Sequence, residues 1–342
     1  MPALDAFPQW FLAGTAVSFG LVFGSFLNVV IYRLPRGENL AFPGSHCPSC
    51  GAPIRAYDNI PVLSWVLLRG KARCCGQGIS VRYPLVELAG GLLAGAVLER
   101  IVLRDPTLPL WHGALLFALY LALGLGLVAA AFIDIEHMIL PDEITLGGAA
   151  LGVASAPWRF DVGAVAHGPW YELVRASAGP ALANVVDALF GAVLGFVIIW
   201  LPFDVLYRRL RGRTGMAMGD AKLVMLAGAW GGWPGALFAL LAGALQGTLV
   251  MAFLLLTGRR PEEPDAVRAE REAFRAALEA ASGEEREALE AELAADPLLA
   301  SEPEEGLLQA RLAFGPFLVL AVLEHVFFGD LLIGYYLDLI WL

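Results

Sequence analysis

The sequence predicts an all-α protein that crosses a membrane about eight times. Of its 342 residues, 58% are hydrophobic and only 16% are charged, well below the roughly one quarter that is usual in soluble domains. The hydrophobic residues are gathered in runs near the length of about 20 residues that spans a bilayer. Two smaller units, a cysteine-containing loop domain and an acidic helical hairpin, complete the predicted polytopic architecture, and we expect both in the cytoplasm.

The chain divides into five predicted segments. They are a first transmembrane helix (1–33), a cysteine-rich loop domain (34–83), a transmembrane core (84–258), an acidic hairpin (259–312) and a last transmembrane helix with its tail (313–342). The net charge of −10 is concentrated in one of them, since residues 258–312 hold 15 acidic residues and 7 Arg, a net of −8. Because no basic face remains outside short loops, we expect no nucleic-acid partner.

The first helix is uncharged from Ala6 to Tyr32. This run is longer than the core of a signal peptide and no basic residue precedes it, so we interpret it as an uncleaved membrane span. Arg33 and Arg36 follow it. The positive-inside rule therefore places the N-terminus outside and the loop domain in the cytoplasm.

The loop domain holds all four cysteines of the chain, Cys47, Cys50, Cys74 and Cys75. Clustered cysteines on a cytoplasmic loop favour a metal site over disulfides. Four thiolates suit zinc. Two of the cysteines are adjacent in the sequence, which is poor geometry for binding one metal ion. The alternative is therefore that the thiols bind no metal and are free or buried.

Four apolar runs follow in the transmembrane core. They predict helices at Pro84–Val97, Trp111–Ile133, Asp142–Ala156 and Asn184–Phe203, with a polar external loop at 157–182. A second basic loop supports the same orientation as the first. Its basic residues are Arg208, Arg209, Arg211 and Arg213.

The run from Leu223 to Gly258 has no charged residue. Within it, the sequence Gly-Gly-Trp-Pro-Gly at Gly231–Gly235 predicts a turn that separates helices six and seven. Helix six would be short and would begin at Asp220. A short, glycine-flanked helix is typical of a site that lies partly within a membrane.

The acidic hairpin has one apolar face on its first helix and a glycine, Gly283, at its turn. That face comprises Val267, Phe274, Leu278 and Ala281. We expect Pro297 to end the second helix and the charged residues to face water. The eighth helix is predicted at Phe314–Phe328, and the sequence does not place the apolar tail after it.

Asp134 and Asp220 are both predicted at helix ends on the cytoplasmic side. Two neighbouring carboxylates do not both ionise readily, so one retains a proton. The charged group can then take a proton from water while the neutral group polarises a peptide carbonyl. This pair predicts aspartic-protease chemistry, for which no metal or other cofactor is needed.

Other interpretations of the acidic residues remain open. Asp142 follows Pro141 and is better explained as a helix N-cap, and Asp220 could also cap its helix, with Lys222 as a flanking residue at the membrane surface. Glu136 and Glu143 are expected to be loop or first-turn charges, and His137 has no assigned role. A proton-coupled transporter would use acids deeper in its helices and an internal repeat, and neither is found.

Several segments together resemble the bacterial prepilin peptidases, which are membrane aspartic proteases of the GxGD type and often N-methyltransferases too. The matching segments are Gly24–Arg36, Cys47–Cys50, Asp58–Trp65, Arg82–Leu88, Asp134–Asp142, Met218–Leu223 and Phe314–Phe317. They cover most of the chain in a fixed order.

This resemblance implies that Asp134 and Asp220 are the catalytic pair. It implies a protein of the bacterial inner membrane that cuts the short basic leader of type IV prepilins or type II secretion pseudopilins after a Gly, on the cytoplasmic side. It also implies methylation of the new N-terminus with S-adenosylmethionine, zinc in the cysteine loop, and contact with membrane lipids. Peptidase-only activity and an inactive scaffold of a pilus or secretion machine are the alternatives.

The chain departs from the family pattern at three places. Ala217 stands where the first glycine of GxGD is usual, and we expect activity to survive this change, with a tighter backbone if that glycine needed a positive φ. Ala72 replaces the first cysteine of the second pair, so Cys74 or another ligand such as His46 would have to substitute. The hairpin at 258–312 and the longer loop at 157–182 are insertions without an assigned role.

Overall fold

The computed structural model describes residues 4–159, 167–211, 217–259, 264–295 and 312–341. These residues form helices and isolated bridges but no strand, which confirms the predicted all-α class. The helices are α1 (Gln9–Arg33), α2 (Leu63–Leu67), α3 (Arg82–Val97), α4 (Leu110–His137), α5 (Asp142–Ser155), α6 (Tyr171–Ala178), α7 (Pro180–Ile199), α8 (Tyr207–Arg211), α9 (Met218–Thr257), α10 (Asp265–Ala280), α11 (Glu284–Ala295) and α12 (Gly315–Trp341).

Five helices in the described part of the chain are long and apolar enough to cross a membrane. These spans are Gln9–Arg36, Leu110–His137, Pro180–Leu210, Met218–Thr257 and Gly315–Leu332. The second and fourth predicted helices form as α3 and α5 but have only 16 and 14 residues. The polytopic membrane class is therefore confirmed, whereas the count of eight spans is not.

Helices six and seven are two arms of one helical tract, α9, which is 40 residues long. The predicted turn is reduced to a single non-helical residue, Gly232, with φ 63° and ψ −164°. A positive φ favours glycine, and Pro234 cannot donate a backbone hydrogen bond to the preceding turn. The two arms therefore bend at this residue instead of separating.

Close approach of glycines joins the helices in pairs. A Cβ on Gly24 of α1 would lie 2.9 Å from Cα of Glu87 in α3. On α7, a Cβ on Gly195 would collide with the backbone of α9 at Val224. Small residues at such crossings allow backbones to pack closely in the absence of a hydrophobic driving force. As a result, α1 lies against α3, while α7 lies against the first arm of α9.

The segment predicted as a polar loop at 157–182 contains helix α6 and a buried arginine, Arg159. The Arg159 guanidinium donates to the carbonyl oxygens of Trp230 (2.9 Å) and Ala229 (3.1 Å), and also to that of Gly152. It also lies over the Trp230 ring. Arg159 thus binds the ends of α5 and of the first arm of α9 together, and the plain-loop prediction was wrong here.

The acidic hairpin forms as α10 and α11, with Gly283 at φ 61° between them. Val267 and Arg271 are buried, and α10 packs against α4. Pro297, the predicted end of the second helix, lies outside the described residues. In α12 the helix continues well beyond the predicted end at Phe328, so helix and tail are one element.

Candidate active site

Asp134 lies in the last turn of α4, which continues past the predicted end at Ile133. The helix ends at Met138, whose backbone is left-handed (φ 54°) and whose N–H donates to the carbonyl oxygen of Asp134 at 2.9 Å. The Asp134 side chain points into the protein, and the residue is 6% exposed. A buried acid at this position requires a partner.

That partner is the first residue of α12, Gly315. Its backbone N–H donates to Oδ2 of Asp134 at 2.9 Å. A Cβ on Gly315 would lie 2.6 Å from the same oxygen, so a larger residue would force the carboxylate or the helix start to shift. The free N–H groups and the dipole of a helix N-terminus favour a carboxylate in this place.

Sequence reasoning assigned no role to Gly315. The usable signal was the Gly315-Pro316 pair that opens the last apolar run, because Pro is typical of the first helical positions. That signal predicts a helix start, but it does not say which acid the helix start faces.

Asp220 lies in the first turn of α9 and is 7% exposed. The residue before the helix, Ala217, has φ −70° and ψ 145°, and no side chain caps this end. The alternative that Asp220 caps its helix is therefore wrong. Because φ is negative at Ala217, alanine fits this position without strain. Residues 212–216, which include Gly215 and Met216, lie outside the described residues.

Leu140 connects the two aspartate positions in space. A Cβ on Gly219, the neighbour of Asp220, would lie 3.1 Å from Cβ of Leu140. A Cβ on Gly315, which binds Asp134, would lie 3.2 Å from Cδ2 of the same leucine. Asp134 and Asp220 are close enough for their charges to interact. The structure thus brings the two predicted aspartates together.

Two ion pairs hold the segments that carry these aspartates. Lys222 Nζ lies 2.6 Å from Asp142 Oδ1 and ties α9 to α5. Arg82 pairs with Glu136 and ties α3 to α4. The N-cap interpretation of Asp142 was wrong, because its carboxylate binds Lys222 and makes no capping bond. Glu136, expected as a loop or first-turn charge, lies instead in the last turn of α4 and pairs with Arg82.

The four cysteine sulfurs lie together, all within 4.8 Å of one another. Cys47 Sγ is 3.7 Å from Cys75 Sγ, and Cys50 Sγ is 3.4 Å from Cys74 Sγ. Four sulfurs around a zinc ion at about 2.3 Å would be about 3.8 Å apart. The cluster could therefore bind a metal ion.

Two turns of the same shape supply these thiols. In the first, Cys47 N–H donates to Ala52 and Gly51 N–H donates back to Cys47, both at 2.8 Å. In the second turn, Ala72 N–H donates to the carbonyl oxygen of Gln77 and Gly76 N–H donates to that of Ala72, also at 2.8 Å. Gly51 and Gly76 have φ 72° and 71°.

Superposing the two turns explains the unusual cysteine spacing. Cys75 corresponds to Cys50, whereas Ala72 occupies the place of Cys47 and Cys74 the place of Ser49. Cys74 nevertheless reaches the cluster. Backbone hydrogen bonds from Cys50 and Ser49 lower the pKa of the Cys47 thiol to about 6, which favours the thiolate that metals bind.

Two family models match the chain. The bacterial peptidase A24 N-terminal domain matches residues 18–101, which include the second part of α1, all of α3 and the cysteine cluster. The type IV leader peptidase family matches residues 121–252, which include both Asp134 and Asp220. No solved structure is a significant match to the chain.

Curated proteins that carry the name prepilin leader peptidase/N-methyltransferase match over most of their length. The chain is 35% identical to that of Stutzerimonas stutzeri, over 71% of this chain and 85% of the relative. It is 36% identical to the Pseudomonas putida protein (72% and 82%) and 40% identical to the Klebsiella pneumoniae protein (63% and 82%). The chain belongs to the prepilin leader peptidase/N-methyltransferase family.

Proposed function

We propose that Asp134 and Asp220 are the catalytic pair of a membrane aspartic endopeptidase that removes the leader of type IV prepilins or type II secretion pseudopilins. One observation supports this proposal most strongly. Asp134, buried and bound by the Gly315 amide, and the equally buried Asp220 lie on either side of Leu140, which approaches both Gly315 and Gly219.

The pair would work with a single shared proton. The ionised carboxylate accepts a proton from water as the water oxygen attacks the peptide carbonyl carbon, and the neutral carboxyl donates its proton to the carbonyl oxygen. When the tetrahedral intermediate collapses, the C–N bond breaks, the first group passes its proton to the leaving nitrogen, and one hydroxyl of the intermediate returns a proton to the second group. Gly315 fixes one oxygen of Asp134 throughout.

The active site would open to the cytoplasm of a bacterial inner-membrane protein. The end of the molecule that carries the aspartates also carries Arg33 and Arg36 after α1 and the Arg82–Glu136 pair. A bias of Arg and Lys toward one side marks the cytoplasmic side of a membrane protein.

The same protein would methylate the α-amine that cleavage creates, as the printed names of its relatives suggest. S-adenosylmethionine is the donor, and its methyl group passes to the amine nitrogen with loss of one proton. Mass spectrometry of mature pilin tests this half, because an unmethylated N-terminus would leave a peptidase alone.

Zinc would stabilise the loop domain through Cys47, Cys50, Cys74 and Cys75. The sulfur separations suit tetrahedral coordination. In small domains of this kind metal binding and folding are coupled.

Processing of a prepilin in membranes tests the peptidase. We expect Asp134→Asn and Asp220→Asn to leave the prepilin uncut. The matched Asp105→Asn control should still cut it, because Asp105 lies before the opposite end of α4 and bonds Thr107 there. Full cleavage by either of the first two variants would contradict the assigned pair. An inactive scaffold would show no cleavage even with the unaltered chain.

A further inference from the structure

The loop domain exposes an apolar face on α2. Leu63, Val66 and Leu67 are 50%, 56% and 71% exposed. Residues at spacings of three and four lie on one side of a helix. We call these three residues the α2 face. A cluster of apolar residues with this much exposure is typical of a surface that a membrane or another protein covers.

The opposite side of α2 is anchored within the domain. Ser64 is buried, and its hydroxyl donates to the carbonyl oxygen of Tyr57 at 3.0 Å. The Trp65 indole N–H donates to the carbonyl oxygen of Ile79, also at 3.0 Å. The α2 face therefore cannot rotate inward, and its exposure is built into the fold.

A carboxylate of helix α3 holds the start of α2. Oε2 of Glu87 accepts the backbone N–H of Val62 at 2.6 Å. Val62 has φ 60°, a conformation that is unusual for a β-branched residue. The role of Glu87 in this structure is to tie α2 to α3.

This tie sets the depth of α2 relative to the membrane. Glu87 packs against Gly24 of α1, which lies about nine residues, or about 13 Å, before the basic end of α1 at Arg33. The Glu87 side chain points toward the N-terminus of α3, and thus back toward the loop domain. Val62 therefore lies between the level of Gly24 and that of Arg33.

Positive charge follows directly after α2. Arg69 and Lys71 are exposed, and neither forms an ion pair with any described residue. The loop domain as a whole has six basic residues against two acidic ones. Basic residues beside an apolar helix face match the anionic headgroups of phospholipids.

We propose that the α2 face inserts into the lipid leaflet on the Asp134 side, with Arg69 and Lys71 at the phosphates. A bilayer is favoured over a protein partner because Glu87 holds α2 beside α1, which is long and apolar enough to cross a membrane. The loop domain would then rest on the membrane through this one short helix.

Photocrosslinking of the full chain in lipid nanodiscs tests the insertion. Benzoyl-phenylalanine replaces Leu67, and in a matched control it replaces Gln77, which is exposed in the second cysteine turn. We expect the Leu67 position to gain the mass of one phospholipid, at least 10-fold more often than the Gln77 position. Equal labelling at both positions would overturn the proposal. So would a result in which position 67 is labelled only when prepilin has been added.

Nanodiscs with equal amounts of phosphatidylglycerol and phosphatidylcholine test whether Arg69 and Lys71 select anionic headgroups. With Arg69 and Lys71 intact we expect phosphatidylglycerol to make up most adducts at position 67, and R69Q/K71Q should bring its share to about one half. An equal share before this substitution would show that the basic pair does not select the headgroup. Peptidase activity of each variant verifies that it is folded.

Discussion

At the scale of single residues, the hydrogen bond between Gly315 and Asp134 leaves little room for a side chain at position 315. A methyl group on Gly315 would overlap Oδ2 of Asp134. The carboxylate must then rotate or α12 must shift, and either movement changes the separation of the two aspartates. Displacements of this size at a reacting centre cost about 10²-fold in rate.

We predict that Gly315→Ala lowers kcat for prepilin cleavage by about 10²-fold. Gly147→Ala in α5 is the matched control, since a Cβ there meets no atom within 4 Å, and it should retain full activity. Comparable activity of the two variants in a purified assay would show that the close contact is unimportant.

Cys74 offers a second test at this scale. We predict one zinc per unaltered chain by metal analysis and loss of most of it in Cys74→Ser. In the double variant Ala72→Cys/Cys74→Ser, the second turn regains the spacing of the first and zinc should return. Zinc retained in the single variant would mean that Cys74 is not a ligand.

At the scale of elements, Arg159 decides how α5 and α9 meet. Its buried guanidinium is the donor for three carbonyl oxygens at two helix ends. Removing it would take a donor from each of these buried acceptors, at a cost of about 1–3 kcal/mol each at most, although the Gly152 carbonyl would still accept from the Ser155 hydroxyl.

We predict that Arg159→Met lowers the free energy of unfolding by on the order of 3 kcal/mol, seen as a lower Tm in detergent. Arg175→Met in α6 is the control, because its side chain is exposed and its contact with Glu172 is 3.8 Å; exposed pairs contribute about 0–1 kcal/mol. An unchanged Tm for Arg159→Met would refute the joining role.

The elements that local patterns control were predictable from the sequence. Long uncharged runs gave α1, α4 and α7, and the Gly-Gly-Trp-Pro-Gly run gave the bend in α9. Contacts between distant residues were not predictable, because no local pattern relates Gly315 to Asp134 or Lys222 to Asp142. For the same reason Asp142 was predicted from the sequence to be a helix cap, although it pairs with Lys222, which is 80 residues further along the chain.

At the scale of the whole molecule, the helices gather the chemistry at one end. α4, α9 and α12 bring Asp134, Asp220 and Gly315 to the same place, and the ion pairs Arg82–Glu136 and Lys222–Asp142 lie beside it. The cysteine loop domain adjoins this end through Glu87. The proposed catalytic pair and the basic side of the protein therefore coincide.

A double-substitution cycle on purified protein tests the central claim most directly. If Asp134 and Asp220 act as one unit, their effects on cleavage do not add. We predict that Asp134→Asn, Asp220→Asn and the double variant all fall to the same residual prepilin cleavage rate, at least about 10³-fold below the unaltered protein. Activity in either single variant, or a further large fall in the double variant, would contradict a shared catalytic pair.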